Sequence, residues 1–501
     1  MAIELTKAAL GPVQGIATLV LLGLMMLAVA YYIKSKLVRN THDFVIAGRR
    51  LGFGFGVAGL ISVWTWAMAV MMSSGMTYKY GLSGLFWFTV PNGFAVIAII
   101  PFAKRLRTLM PHGYTMGEFV SVRFNGAKLA RIVVTVGLIF GALIAIIINL
   151  KGTALVISTI FGLDQAKVAI LTSLIVLIYS MLGGLWVSMS TSTLATLIHT
   201  VPAAIVVVAT LSQLGGANAI WSEVAHKGNQ FLSVARPDAM SEFGITLALG
   251  LLTATLAGQD FWQVVWGLKK REVSRTFLWA GAWFYPIPIC LGLLGLVGIA
   301  FNVDLASDLA KDTAAVGPFV ISHIGLPKWL IYLYASVIVT ACYSVIDSSL
   351  TAISGITAVD IITPINPHGS EKNLFNFTRL SMVLAAVFAT LVVLSGVDFV
   401  TIVLTTYAIR TAILIPLMLS IFWDKMTASG FVWGTVIAIV IGMPCRMIYG
   451  ELPGTLLILL LSAVVPLALS WGNSSRFNFS SLMDAEDIKP ASESEIAEQA
   501  R

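Results

Sequence analysis

Runs of apolar residues long enough to span a bilayer recur along the whole chain, separated by short polar breaks. Thirteen of them begin near residues 12, 53, 83, 128, 165, 184, 240, 276, 329, 376, 398, 427 and 453. A helix of about 20 apolar residues crosses the hydrocarbon core, so each run predicts one membrane-spanning helix. The least polar break is the "LGG" around Gly183. The ninth run, Trp329 to about Ala358, holds a single charged residue, Asp347, in "ACYSVIDSSL". An unpaired carboxylate at that depth costs several kcal/mol, which makes Asp347 a functional candidate.

Composition supports the pattern. Of 501 residues, 58% are hydrophobic and 11% charged, and the mean hydropathy is +0.91. A soluble chain of this length needs a far more polar surface, so a polytopic all-α membrane protein is expected. The three cysteines, Cys290, Cys342 and Cys445, lie in or beside apolar runs at spacings that fit packing rather than a zinc site or a disulfide framework. The first run lacks a basic leader and is long enough to stay as a span.

Charge sets the expected orientation. With the N-terminus outside, 21 of the 31 Lys and Arg fall on the cytoplasmic side and 8 outside, with Lys151 and Arg410 inside spans. That asymmetry predicts an external N-terminus, a cytoplasmic C-terminus and an odd number of spans, in a plasma or inner membrane. The net charge of +7 then faces anionic lipid headgroups and calls for no nucleic acid. The polar tail from Gly472, acidic towards its end, is expected to be disordered. No GxxxxGK[ST] loop is present, which argues against an ATP-driven pump and leaves a secondary transporter, a channel or a membrane enzyme.

Four stretches narrow that choice. They are "THDFVIAGRRLG" (Thr41 to Gly52), "GGLWVSMSTS" (Gly183 to Ser192), "GQDFWQ" (Gly258 to Gln263) and "SVIDSSLTAISGITAVDI" (Ser344 to Ile361). In this order and spacing the chain resembles the sodium:solute symporter family over almost its whole length. "WTWAMAVMMSSGMTYKYGLSGLFWF" (Trp64 to Phe88) and "GAWFYPIPI" (Gly281 to Ile289) look most like its urea and polyamine permeases. The resemblance implies a LeuT-like core of two inverted five-helix repeats, at about 53–212 and 240–423. An extra helix and loop (1–52) would precede the core, an external loop (213–239) would join its halves, and two helices (424–471) and the tail (472–501) would follow. It also implies that substrate and coupling ion bind near the midplane, where the first helix of each repeat is interrupted. No proline marks either interruption.

Carried over by motif, the resemblance implies a cation site at Ser62 and Thr65 on the first core helix and at Ala341, Ser344 and Val345 on the eighth, to which the residues themselves add Asp347 and Ser348 as candidate ligands. A hard cation takes oxygen ligands, which suits hydroxyls and unwound carbonyls. The sequence departs from the family in two places: Val345 stands where a second hydroxyl is usual, and Ser192 stands where many members carry a carboxylate. Asp347, one helical turn past Ser344, faces nearly the same side. It is expected to line the ion route as a sodium ligand or a proton carrier, or else to be a structural hydrogen-bonding carboxyl. The substrate candidates are Trp64, Trp66, Met68, Thr255, Gln259 and Asp260. Indoles offer a flat face and one N–H to a small amide. Trp64 and Trp66, two residues apart, share no face of a regular helix. Arg410, Lys151 and His199 read as structural as readily as functional.

The leading expectation is a cation-coupled symporter, with Na+ as coupling ion and H+ as the alternative, importing a small nitrogen-containing solute such as urea. A proton-driven symporter of another organic solute is the alternative, as is a transporter-like sensor working through a separate partner. An enzyme is not expected, because the ionisable residues at membrane depth are few and scattered. A monomer suffices for the core, and the oligomeric state is left open.

Overall fold

The computed structural model describes residues 8–302, 313–366, 370–396 and 399–484. Helices dominate it. Helix α1 (Pro12–Leu37) leads through α2 (Thr41–Ile46) to α3 (Phe53–Trp64), α4 (Ala67–Tyr80), α5 (Leu82–Ala98), α6 (Ile100–Leu109) and α7 (Met116–Arg123). Long helices α8 (Lys128–Phe161), α9 (Gln165–Ser180) and α10 (Gly184–Gln213) follow, then α11 (Ala217–Lys227) and α12 (Pro237–Ala239). The second half holds α13 (Ile245–Leu256), α14 (Gln259–Gly267), α15 (Val273–Phe284), α16 (Pro286–Ala300), α17 (Val316–His323), α18 (Lys328–Ile356) and α19 (Thr363–Ile365). Helices α20 (Glu371–Leu394), α21 (Phe399–Phe422), α22 (Ala428–Tyr449) and α23 (Glu451–Trp471) complete it.

Among the described residues, ten helical runs are long and apolar enough to cross a membrane. The α3–α4 pair, bent by 50°, adds another, and α9 and the Ala408–Phe422 part of α21 are shorter apolar helices. Every apolar run read from the sequence is matched by a helix in this set. The chain is a multi-pass membrane protein. Helix α18 runs through its centre: every residue from Val337 to Asp360 is buried. A helix apolar on all sides can pack only inside a bundle, and α18 is surrounded by α8, α10, α20 and α9.

Contacts between connecting segments define two ends. At one, Thr41 meets Glu371, Arg49 meets the Gly113 carbonyl, Leu51 pairs with Leu268, and Arg123 meets the Trp423 carbonyl. This end carries most of the basic residues. At the other, the Arg236 N–H donates to Ser83, and the Tyr80 hydroxyl donates to Glu242.

Two helices break in the interior, and each break is held by a side chain from outside the broken turn. Between α3 and α4, Thr65 and Trp66 leave helical geometry. The freed N–H of Ala67 donates to Asn149 Oδ1 of α8 at 2.8 Å. Between α13 and α14, Ala257 and Gly258 interrupt the helix, and the Leu256 carbonyl accepts the Trp262 indole N–H at 2.7 Å. A side chain on Gly258 would lie 2.5 Å from the Ala254 carbonyl oxygen and 2.6 Å from Asp260, so only glycine fits there. Irregular backbone is tolerated at membrane depth only where protein satisfies it.

The tail corrects one expectation. Residues after Gly472 do not simply dangle: the Phe477 N–H donates to the Asp424 carbonyl, Leu482 is fully buried, and Phe477 and Phe479 cover the Arg123 guanidinium at 4.4 and 5.5 Å. Three apolar side chains in a polar stretch supply the anchor that average composition hides. Residues 485–501 lie outside the described set.

Asn149→Ala should leave the Ala67 N–H buried without an acceptor and cost about 1–3 kcal/mol. Thr153→Ala, whose hydroxyl supplements the Asn149 carbonyl of its own helix and lies beside the weakly hydrogen-bonding Cys342 thiol, should cost less, about 1 kcal/mol or under. Denaturant unfolding of the two variants in the same detergent checks the difference.

Candidate substrate and cation site

The break in the first core helix opens a small cavity lined by Trp64, Trp66, Ala69, Phe88, Asn92, Leu251 and Ala254. Both tryptophans line it, because the turn at Thr65 and Trp66 removes the helical spacing that would send them to different faces. Their ring centroids are 6.4 Å apart, and Trp64 stands edge-on to Phe261 at 5.2 Å. The cavity volume is about 10 Å³, room for little more than one water.

The polar groups around the cavity are few. The Trp64 indole N–H donates to the Asn92 carbonyl at 3.1 Å, and the Asn92 amide donates to the Phe88 carbonyl at 2.6 Å. The Trp66 indole N–H is buried with no hydrogen-bond partner. The Arg410 guanidinium sits 5.7 Å from the centre of a Trp66 ring, acts electrostatically on Asp260, and lies against Gly141, where a Cβ would approach it to 2.7 Å. Arg410 is buried, so it packs inside the bundle rather than reaching out to the surface.

A second cluster joins α3, α10 and α18. Ser62 Oγ donates to Ser344 Oγ at 2.7 Å, and Ser344 Oγ also pairs with Ser192 Oγ at 2.8 Å. One turn along α18, Asp347 Oδ2 accepts from Thr191 Oγ1 at 3.1 Å, with the hydroxyls of Ser180 and Ser188 beside it. Asp347 is fully buried, and its Oδ1 has no partner. The three-residue spacing from Ser344 to Asp347 thus sends both side chains to α10.

The other candidates go elsewhere. Thr65 Oγ1 donates to the Ile61 carbonyl and Ser348 Oγ to the Val345 carbonyl, each within its own helix. Ala341 and Val345 are buried. Thr255 Oγ1 bridges to the Ala95 and Leu252 carbonyls. Gln259 does not face the cavity: its amide clasps the loop between α6 and α7, donating to the Tyr114 carbonyl and accepting from the Met116 N–H, both at 3.0 Å. Asp260, at the start of α14, is buried but is not among the cavity's lining residues. The Met68 side chain lies outside the described residues. His199 is fully buried. Sequence reasoning did not single out Asn92, Asn149, Thr191, Ser180 or Ser188. The two asparagines, amides within otherwise apolar runs, were the available signal.

The loop that Gln259 holds seals the basic end below the cavity. Arg49 donates to the His112 and Gly113 carbonyls, Trp266 to the Met110 carbonyl, and Thr115 to Asp360 at 2.7 Å. Glu118 accepts from the Tyr114 N–H at 2.7 Å. Part of Glu118 reaches the surface, yet burial of its carboxyl pushes its pKa up to about 8; the Tyr114 N–H opposes that shift and the charge of Asp360 adds to it.

Residues 44–438 match the family model described as the sodium:solute symporter family. The chain belongs to this family. It is 22% identical over 453 residues to the urea-proton symporter DUR3 of Oryza sativa subsp. japonica, covering 82% of this chain and 62% of that protein. It is 24% identical over 442 residues to a probable urea active transporter of Schizosaccharomyces pombe, covering 81% of this chain and 64% of that one. The chain thus spans less than two thirds of the length of these two relatives. Among solved structures, a substrate-bound, outward-open Na+-coupled sialic acid symporter superposes with a TM-score of 0.76 at 19% identity, covering 92% of this chain and 98% of that one. Mhp1, a nucleobase-cation-symport-1 transporter in a closed conformation, gives 0.56 at 10% identity, covering 85% and 94%. The fold is therefore the LeuT-like fold that the resemblance implied.

The two indoles of the cavity should respond differently to loss of their N–H. Trp66→Phe removes a donor with no partner and should change stability by less than about 0.5 kcal/mol, whereas Trp64→Phe removes a buried hydrogen bond to the Asn92 carbonyl of α5 and should cost about 0.5–1.5 kcal/mol. Parallel thermal and denaturant unfolding checks the contrast.

Proposed function

We propose that the protein is a cation-coupled symporter that imports a small, polar, nitrogen-containing solute, with urea as the leading case. The observation that carries this reading is the pairing of an aromatic cavity at one helix break with a hydroxyl–carboxylate cluster between α3, α10 and α18. The names of the rice and fission-yeast relatives support urea, and the family supports cation coupling.

In this reading Trp64 and Trp66 pack against the faces of a planar solute, and the Trp66 N–H donates to its carbonyl oxygen. A desolvated donor without a partner favours a solute that supplies an acceptor over one that does not. Thr255 and Asp260 act from the neighbouring broken helix, and Gln259 couples that helix to the sealing loop rather than touching solute.

The cation cluster fits a hard ion, since all its side-chain donors are oxygens and the buried Asp347 Oδ1 has no partner. Ser62, Ser344, Asp347 and Ser192 would hold Na+, with the Thr65 and Ala341 backbones nearby and Ser348 as a further hydroxyl on α18. A bound Na+ would supply the countercharge for the buried Asp347 carboxylate. If the ion is H+, Asp347 carries it as a neutral carboxyl among the same hydroxyls. Ser62 belongs to α3 and Ser344 to α18, so occupancy of the cluster fixes the first half of the broken helix against the bundle centre. The inverted repeats are assigned to 53–212 and 240–423.

The basic end is assigned to the cytoplasm, with the N-terminus outside, in a plasma or inner membrane. Single-cysteine labelling should then find Lys270→Cys modified only from the cytoplasm and Lys227→Cys only from outside. Modification of both from one face contradicts the arrangement.

Uptake into proteoliposomes, with labelled urea and related amides and amines under separate Na+ and H+ gradients, tests the function. Asp347→Asn keeps the shape but cannot ionise, so it should abolish gradient-driven accumulation while leaving solute exchange down its own gradient. Val345→Ser adds a hydroxyl beside Ser344 and should strengthen Na+ dependence if Na+ is the ion, and change little if H+ is. Accumulation by Asp347→Asn equal to wild type at matched expression would refute the coupling role.

A further inference from the structure

Away from the cavity, a groove of about 270 Å³ lies between α3 and α15, bounded by Phe53, Val57, Arg275, Trp279 and Trp283. Its walls follow from helical spacing. Arg275, Trp279 and Trp283 recur every four residues on one face of α15, and Phe53 and Val57 do the same on α3. Its floor is the close approach of the two helices at Gly56, where an added Cβ would lie 2.7 Å from the Thr276 side chain. Small residue against small residue brings the backbones together, and the larger flanking side chains splay outwards.

The groove has a polar-to-apolar order. At its basic end the exposed Arg275 guanidinium is held 4.3 Å from the centre of the Phe53 ring, and no acidic side chain pairs with it among the described residues. Lys269 and Lys270, both exposed, stand just before α15, and the Lys269 N–H is tied to the Leu51 carbonyl beside the start of α3. Of the neighbouring charges, Arg271 is engaged by Glu272 at 3.2 Å. Deeper along α15, about 12 Å from Arg275 at 1.5 Å per residue, comes the indole of Trp283. It is stacked on Trp279 at 6.5 Å and 20°, and both rings are exposed on a membrane-spanning helix.

We propose that this groove binds one anionic phospholipid, with its phosphate on Arg275 and the neighbouring lysines and an acyl chain along Trp279 and Trp283. A guanidinium fixed by a ring is preorganised to donate two hydrogen bonds to phosphate oxygens. A soluble anion would use the cationic end but leave the indoles bare, and a neutral lipid would use the indoles but leave the cations unmatched. Only an amphiphile with an anionic head satisfies both in that order. The lipid would touch α3, the first half of the broken helix.

The test uses the full chain, delipidated in detergent and given phosphatidylglycerol or phosphatidylcholine, with neither solute nor ion gradient present, so its outcome is separate from that of the transport reading. Native mass spectrometry should show one phosphatidylglycerol retained at least about fivefold more than phosphatidylcholine, the preference expected from roughly one engaged cation. Arg275→Gln, a change at an exposed side chain, should diminish the preference severalfold. Trp279→Leu with Trp283→Leu should reduce retention of both lipids while keeping their ratio. Inorganic phosphate alone should neither bind nor displace the lipid. An undiminished preference in Arg275→Gln, equal retention of the two lipids by the wild type, or equal displacement by inorganic phosphate would each overturn the proposal. If Arg275→Gln does not insert, the double tryptophan variant decides: unchanged retention refutes the groove, and reduced retention of both lipids supports it.

Discussion

The constraint on which this architecture rests is that a broken helix inside a membrane must have its freed backbone groups satisfied by protein. Water does so at the surface of a soluble protein, but hydrocarbon cannot. Here one partner comes from a distant part of the sequence and one from the next helix: Asn149 accepts the Ala67 N–H from across the bundle, and the Trp262 indole, six residues on, folds back on the Leu256 carbonyl. The cavity exists because the first break exists, and the loop seal is positioned because the second break starts α14 at Gln259. Neither interruption relies on proline. Each is held in place by tertiary contacts, so it is only as stable as the packing of α8 and α14.

The structure keeps its apolar recognition surface and its hydroxyl cluster apart, yet both use the same few residues of α3. Trp64 and Trp66 lie at its broken end, and Ser62 lies less than one turn earlier. A change in the backbone at Thr65 cannot alter one site and leave the other undisturbed. Under the proposed function, where coupling requires that both ligands favour the same arrangement of a shared element, this short segment is that element.

The spans were legible in the sequence because burial in lipid imposes a length and a polarity that leave little room for ambiguity. The polar partners were legible only in part. Asp347 stood out as a lone charge in an apolar run, and its spacing from Ser344 placed both side chains towards α10. Gln259 and Thr255 stood out equally, but a polar residue near a helix break carries no label for direction: Gln259 turned to the α6–α7 loop and Thr255 to the Ala95 carbonyl. Asn149 and Asn92 were overlooked because a neutral amide barely disturbs hydropathy, although one buried amide can hold a whole turn of backbone. The tail was misjudged for the converse reason. Its mean polarity is high, but docking depends on three particular side chains rather than on an average.

The docked segment around Phe477 to Leu482 ties the helix-flanking tail to the sealing loop. Phe477 and Phe479 grip Arg123 of α7, while Phe479 also covers Arg105 of α6 at 5.0 Å, and these two helices bracket the loop that Gln259 and Arg49 hold shut. By thermodynamic reciprocity, whatever stabilises the docked tail stabilises the arrangement of α6 and α7 to which it docks, and displacing α7 weakens the tail's grip in equal measure. The docked segment around Phe479 thus clasps α6 and α7 together, and its displacement would be felt some 360 residues earlier in the chain, at Glu118 and its neighbours.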